Sequence, residues 1–185
     1  MPTTASVNST KVDNGALVAQ THGVARGEHW PAVEKAYKEA HPNCIACNPD
    51  DYGKVGIQIH HTLWPFHICR LAGRPDGEYD WRNLRSLCET EKDKPSKNHH
   101  LLLGHFKNFR SWNPNLDADA ITYKGMDEAT IIANKTWLLE ESTRPDPDKS
   151  EQKETLRKLR ADMDRLMPPD PELLKKYNLT ITPFE

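Results

Sequence analysis

Apolar positions in the first third of the chain predict one helix and one short strand. Residues 30–41, WPAVEKAYKEAH, carry apolar side chains at helical spacing, at Trp30, Val33, Tyr37 and Ala40. Pro31 suits the first turn of this helix, and Pro42 ends it. The following VGIQIH predicts a short strand that ends at His60.

The middle of the chain predicts less regular structure. Residues 62–82 predict a long loop, because they contain turn-forming residues at Pro65, Gly73, Pro75 and Gly77. An ordered stretch then begins at Leu84 and reaches Cys88. After a lysine-rich loop, HHLLLGHFKNF predicts a helix that starts near His99.

Helical patterns dominate the last third. MDEATIIANKTWLLEES predicts a helix with Asp127 as its N-cap. Residues 151–167 predict an amphipathic helix that ends before Pro168, with one apolar face formed by Leu156, Leu159, Met163 and Leu166. A last short helix should begin with Asp170 as cap and Pro171 at its first position.

These elements predict an α+β fold in three parts. Residues 1–28 are rich in Thr, Ser, Asn and Gly and are expected to form a flexible arm. Residues 29–120 should form the core, and residues 121–185 a helical extension. The extension is expected to pack on the core or to contact a partner, including a second copy of the chain.

Composition limits the class of protein. Hydrophobic residues make up 36% and charged residues 28% of the chain, which predicts a small core. The sequence has neither an apolar run near the roughly 18 residues of a membrane helix nor a secretion signal. We therefore expect a cytoplasmic protein without membrane contact, whose cysteines are metal ligands or free thiols rather than disulfides.

Charge and histidine are concentrated in one segment. Residues 60–112 contain nine Lys/Arg and six Asp/Glu, while the whole chain has a net charge of −2. Six of the nine histidines lie between His60 and His105. A locally basic face favours a polyanionic ligand, although a solvated lysine-rich surface would have the same composition.

The motif CIAC predicts a structural metal site. Two thiolates in a Cys-x-x-Cys turn can reach one tetrahedral ion, and we expect Zn²⁺ held by Cys44, Cys47, Cys88 and His99. Buried apolar cysteines or a redox pair are the alternatives. A redox pair normally begins a helix after a strand, whereas this motif follows a helix. Cys69 has no predicted role.

The order of the motifs resembles a known family. CIAC at 44–47 is followed by HHTLWPFH at 60–67, DWRNLRSLC at 80–88, NHH at 98–100, GH at 104–105 and SWNPNLDADA at 111–120. This order is similar to that of the His-Asn-His (HNH) endonucleases of the ββα-metal superfamily, in particular the small phage and prophage members. The resemblance covers roughly residues 29–120 and implies a zinc-stabilised, treble-clef-like ββα-metal core with flanking helices.

The resemblance also implies roles. His60 and His100 would bind the catalytic divalent ion, His61 would be the general base, and Asn83 would orient the loop that carries the base. The family usually has NCH where this chain has Asn98-His99-His100. The register therefore leaves open that His100 binds zinc and His99 the catalytic ion, or that His105 takes one of these roles.

Other residues have weaker assignments. His67 and His105 match the pattern without a clear role and would contact substrate phosphate or support local structure. Four basic side chains could contact a nucleic-acid backbone or belong to a solvated surface, namely Arg82, Arg85, Lys97 and Lys107.

The resemblance implies hydrolysis of DNA phosphodiester bonds. A neutral imidazole can take a proton from water near pH 7, and one divalent ion, Mg²⁺ or another such as Mn²⁺, would stabilise the leaving group. The alternative function is a non-catalytic zinc module that binds nucleic acid or a protein partner.

Overall fold

The fold is mixed α+β. The computed structural model describes residues 24–53, 56–89, 97–109, 111–134 and 150–184. Helices and strands follow in the order α1 (Trp30–Ala40), β1 (Gly56–His61), α2 (Phe66–Leu71), β2 (Leu84–Glu89), a π-helix (His100–Gly104), α3 (Leu116–Thr122), α4 (Glu128–Ala133), α5 (Ser150–Leu166) and α6 (Pro171–Lys176). No helix in these ranges is long and apolar enough to cross a membrane.

The single sheet found in the described residues is an antiparallel pair of β1 and β2. Its register sets His60 opposite Arg85 and His61 opposite Leu84. Consecutive residues of a strand point to opposite faces, so the two histidines are directed to different sides of the sheet. This alternation decides which neighbours each imidazole can have.

Helix α1 forms largely as predicted. Its side chains Trp30, Val33 and Tyr37 are buried, whereas Ala40 is exposed. The helix ends at Ala40, two residues before Pro42, which disfavours helical backbone in the residue preceding it. The α1 stripe packs with Ile59, Tyr79 and Leu84 in one of the apolar clusters of the core.

The prediction of a long loop over residues 62–82 was wrong. This segment contains α2 and two short 3₁₀-helices, Pro75–Glu78 and Trp81–Asn83. Fully buried Arg74 stabilises it by donating to both carboxylate oxygens of Asp76, at 2.9 and 2.7 Å, and to the Met167 carbonyl at 2.8 Å. These acceptors satisfy the buried Arg74 guanidinium. The segment can therefore be buried and ordered, although its proline and glycine content indicated a loop.

The C-terminal helices pack on the core. Helix α5 buries Leu156 and Met163 against α2, and Leu159 is partly buried there. Met167, which directly follows the helix, is buried in the same cluster. The prediction that Leu166 belongs to the same face was wrong, because its side chain is 56% exposed. Met167 takes that place instead.

The predicted caps of the C-terminal helices are confirmed. The Asp127 side chain accepts from Thr130 N at the start of α4, and Asp170 accepts from Glu172 N and Leu173 N at the start of α6. The predicted continuation of α4 beyond residue 134 lies outside the described residues, as do residues 1–23 of the predicted arm. Gly27, assigned to that arm, instead donates its N–H to the buried Glu78 carboxylate at 3.0 Å.

We expect Met163→Ala to lower the free energy of unfolding by about 2–5 kcal/mol, because it empties a fully buried site between α5 and α2. Leu166→Ala on the same helix should change it by less than about 0.5 kcal/mol, since that side chain is largely exposed. Urea unfolding of both variants measures the difference. Equal values would contradict this packing of α5.

Candidate metal centre

Four side chains with metal-binding chemistry meet beside β2. Cys44 and Cys47 lie in the turn after α1, Cys88 lies in β2, and His99 directly precedes the π-helix. All four are buried, and their ligand atoms lie within 4.8 Å of one another. The apolar cluster around them includes Leu87, Leu102, Leu116 and Ile131.

The spacing of this Cys₃His cluster fits a tetrahedral ion. The His99 Nδ1 atom lies 3.4, 3.6 and 3.4 Å from the sulfurs of Cys44, Cys47 and Cys88. The Cys47 and Cys88 sulfurs are 3.8 Å apart. A tetrahedron with Zn–S of about 2.3 Å and Zn–N of about 2.05 Å has S–N edges of about 3.6 Å and S–S edges of about 3.8 Å. The cluster could therefore hold a metal ion such as zinc.

The electrostatics of the cluster also favour a cation. Hydrogen bonds with the thiols of Cys47 and Cys88 lower the pKa of Cys44. Hydrogen bonds with Cys44 and Cys88 raise the pKa of Cys47. Burial lowers the pKa of His99, but Cys44 and Cys88 outweigh it and raise this pKa to about 9. Three thiols this close cannot all ionise without a positive charge among them, which a divalent ion supplies.

The structure brings His99, and not His100, to the three thiols. The other ring nitrogen of His99, Nε2, lies 3.1 Å from the Met126 carbonyl oxygen. Since a carbonyl only accepts, Nε2 carries the proton and Nδ1 is the atom available to a metal.

A second cluster consists of His60, His100 and His105. Their ligand atoms also lie within 4.8 Å of one another, and the described residues contain no other group of this kind besides the cysteine cluster. The Nδ1 atom of His105 donates to the Ser111 carbonyl at 2.8 Å, so Nε2 is the ring nitrogen that would bind an ion. Phe109 lies over this side of the cluster, with its ring centroid 4.9 Å from that of His105.

His100 retains an unsatisfied ring nitrogen. Its Nδ1 is buried and has no hydrogen-bond partner in the part of the chain that is described. It lies 3.8 Å from a carboxylate oxygen of Glu89, whose pKa is lowered by His100. A buried polar atom without a partner needs an explanation, and a bound cation supplies one.

The π-helix explains why sequence spacing left His105 unassigned. In an α-helix, residues five apart are separated by about 140° around the axis and face different sides. The wider winding of His100–Gly104 instead brings His100 and His105 to a ring distance of 4.8 Å. Phe106 and Lys107 follow with φ of 51° and 60°, an uncommon conformation for non-glycine residues that ends the helix directly after His105.

Gly104 is required for the approach of His60. A Cβ at Gly104 would lie 2.9 Å from His60 Nδ1 and 3.0 Å from Cε1. We expect Gly104→Ala to displace this imidazole and lower the affinity of the second cluster at least tenfold, while the zinc content stays unchanged. Gly53→Ala is the control, because it also replaces a glycine but its added Cβ meets no neighbouring atom. Gly53 has a positive φ, so this variant carries backbone strain without a clash near His60. Isothermal titration with Co²⁺ measures the affinity, and equal values in both variants would contradict the tight approach.

His61 is not part of the three-histidine cluster. Its ring packs on Trp30 at 4.9 Å, and its Nε2 lies 3.0 Å from the Glu78 carbonyl oxygen. β1 ends at His61, one residue beyond the end that the sequence predicted. Strand alternation therefore places His60 in the three-histidine cluster and directs His61 away from it.

Asn83 holds the chain that follows His61. Its side-chain oxygen accepts from Leu63 N and Trp64 N at 2.8 and 3.0 Å, and its amide donates to the Trp64 and Gly77 carbonyls. The Asn83 carbonyl also accepts from Thr62 N at 2.8 Å. This fully buried residue is thus placed to fix the loop that follows the histidine pair.

The four basic residues that could contact a backbone all lie against acids of the same chain. Each forms an ion pair, in the combinations Arg82–Asp80, Arg85–Asp117, Lys97–Asp51 and Lys107–Glu128. The Arg85 guanidinium donates to both oxygens of Asp117 at 2.7 Å. His67, which also had a weak assignment, is buried beside Phe66.

No family model, curated protein or solved structure matches this chain. Its function is therefore inferred from the two clusters, from the residues around them, and from the order of the motifs.

Proposed function

We propose that the protein is a metal-dependent endonuclease of the HNH type that hydrolyses DNA phosphodiester bonds. The observation that carries the proposal is the convergence of His60, His100 and His105. His61, the next residue after His60, is held by a hydrogen bond to the Glu78 carbonyl. The resemblance of the ordered motifs supports it. The Cys₃His cluster would hold a structural zinc that fixes β2 and the π-helix relative to each other.

His61 is suited to act as the general base. Because its Nε2–H donates to the Glu78 carbonyl, the ring is held as the tautomer with an unprotonated Nδ1. That nitrogen can take a proton from an attacking water at neutral pH. Adjacent Cα atoms are about 3.8 Å apart, so His61 directly follows a residue that would bind the ion.

The donor set points to a borderline transition ion rather than Mg²⁺. His60, His100 and His105 offer three imidazole nitrogens, which suit Zn²⁺, Ni²⁺ or Co²⁺, whereas Mg²⁺ and Mn²⁺ prefer oxygen ligands. When bound, such an ion supplies the positive charge that stabilises a leaving alkoxide. Glu89 could contribute an oxygen near His100, but three nitrogens dominate the set.

The test is cleavage of supercoiled plasmid by zinc-loaded protein with one added ion at a time. We expect nicking with Co²⁺ or Ni²⁺ and at least tenfold slower nicking with Mg²⁺. His105→Ala should lower the rate with every ion and leave one tightly bound zinc per chain. No cleavage of plasmid, single-stranded DNA or RNA with any ion would contradict the proposal, and preference for Mg²⁺ would contradict the assigned ligands.

A non-catalytic zinc module is the second candidate function. One observation in its favour is the burial of His61, which is only 5% exposed and packs against Trp30. The other is that the basic residues that could contact a nucleic-acid backbone each pair with an acid of the same chain, namely Arg82, Arg85, Lys97 and Lys107. Such a module would bind one tight zinc and no second ion. Counting bound Co²⁺ per zinc-loaded chain separates the two, because the nuclease binds a second, exchangeable ion at the three histidines.

A further inference from the structure

Arg26, which the sequence analysis assigned to a flexible arm, lies beside His61. Its guanidinium carbon lies 4.1 Å from the centroid of the Trp30 ring and 4.3 Å from that of Phe66. The His61 ring packs on the same two side chains, at centroid distances of 4.9 and 6.2 Å. Two aromatic rings therefore hold a cation next to the proposed base.

The positive charge of Arg26 exceeds what its surroundings neutralise. Its acidic neighbour Glu78 is fully buried and already accepts from Arg70 Nη1 at 2.9 Å and twice from Gly27 N. Arg26 Nη1 remains 3.9 Å from that carboxylate. Among the described residues, two guanidinium groups thus share one carboxylate, so these three side chains together carry a charge of +1.

The other acid that acts on Arg26 does not remove this excess. Burial lowers the pKa of Arg26, and the nearby carboxylates of Glu78 and Glu34 raise it by less. The Glu34 carboxylate is itself bound by Lys38 at 2.7 Å. Nη1 is buried and makes no hydrogen bond within the described residues. The side chain is nevertheless 28% exposed, so part of it faces the solvent.

We propose that Arg26 is a phosphate-binding residue that holds a backbone phosphate of the substrate beside His61. This inference rests on the proposed nuclease function and adds a substrate contact to it. A planar guanidinium binds a phosphate through two parallel hydrogen bonds, and its stacking between Trp30 and Phe66 fixes its orientation in advance. Arg82, Arg85, Lys97 and Lys107 differ from it, because each already has its own carboxylate.

The test is the salt dependence of DNA binding by the full-length, zinc-loaded protein. Binding of a labelled duplex is measured by fluorescence anisotropy in a His61→Asn background, so that the substrate is not cut. Loss of one phosphate contact lowers the slope of log K against log salt by about 1. We expect this change for Arg26→Gln and a smaller one for Arg26→Lys, which keeps the charge. Arg157→Gln, which removes the same charge from an exposed pair on α5, should leave the slope unchanged.

Equal slopes and affinities for Arg26→Gln and its parent would overturn the proposal while leaving the nuclease function intact. Melting temperature and zinc content of each variant exclude unfolding as the cause of any loss. Recovery of affinity in Arg26→Lys also separates a charge contact from a packing role.

A second measurement keeps the inference testable if the protein neither binds nor cuts DNA. Inorganic phosphate is titrated while tryptophan fluorescence is recorded, since the Arg26 guanidinium lies on the Trp30 ring. A fluorescence change in the parent that is absent in Arg26→Gln would support an oxoanion site without nuclease activity. An identical response in both proteins would overturn the site.

Discussion

Replacing Cys44 with alanine is expected to unfold the part of the core that surrounds the Cys₃His cluster. Binding of a structural zinc contributes about 10–16 kcal/mol in small zinc domains, and whole domains are stable by only about 5–15 kcal/mol. Cys44 is one of four buried ligands, and removing it leaves two thiols and His99 without a complete tetrahedral site. Chelation of the ion should have the same effect on the wild-type protein.

Zinc content, far-ultraviolet circular dichroism and melting temperature measure this effect. Cys69→Ala is the matched control, because Cys69 is equally buried but lies outside the cluster. Its pKa is raised well above the usual value by burial, so it should also react slowly with thiol reagents in the folded protein. A Cys44→Ala protein with wild-type zinc content and melting temperature would refute the metal site.

Replacing His61 with alanine is expected to lower the cleavage rate by about 10²–10⁴-fold, the contribution typical of a general base. Zinc content and the affinity of the three-histidine cluster should stay unchanged, since His61 ligates neither ion. The variant leaves the Glu78 carbonyl without the imidazole donor, at a cost of about 1–3 kcal/mol. His61→Asn, which keeps a side-chain amide donor, serves as the second variant.

Plasmid nicking under single-turnover conditions gives the rates. His67→Ala removes another buried imidazole from the same region and should retain most of the activity. Added imidazole should restore part of the activity of His61→Ala, because it can replace the missing base. Full activity of His61→Ala without imidazole would remove His61 as the base.

Local chemistry made part of this site predictable. A Cys-x-x-Cys turn brings two thiols together within four residues, and its combination with Cys88 and His99 indicated the cluster that the structure shows. The helix caps Asp127 and Asp170 were predictable for the same reason, because a capping side chain acts on N–H groups two or three residues away.

The second cluster was only partly predictable. His60 and His100 were expected to share an ion, but the inclusion of His105 depends on the π-helical winding between them. That winding has no simple residue signature, and the helix buries Leu102 and Leu103 in the core. The separation of His61 from the cluster likewise depends on where β1 ends.

By itself, the sequence determined the metal-binding chemistry, the order of the ligands and the ends of the capped helices, since each depends on residues a few positions apart. The tertiary structure decided which charges are neutralised and which are not. Arg74 meets Asp164 across 90 positions, and Gly27 meets Glu78 across 51. Contacts at such separations form because folding brings distant segments into one low-dielectric interior, where each buried charge or N–H group needs a partner. For the same reason, the sequence assigned Arg26 to an arm, and only the folded chain shows it as a cation beside His61.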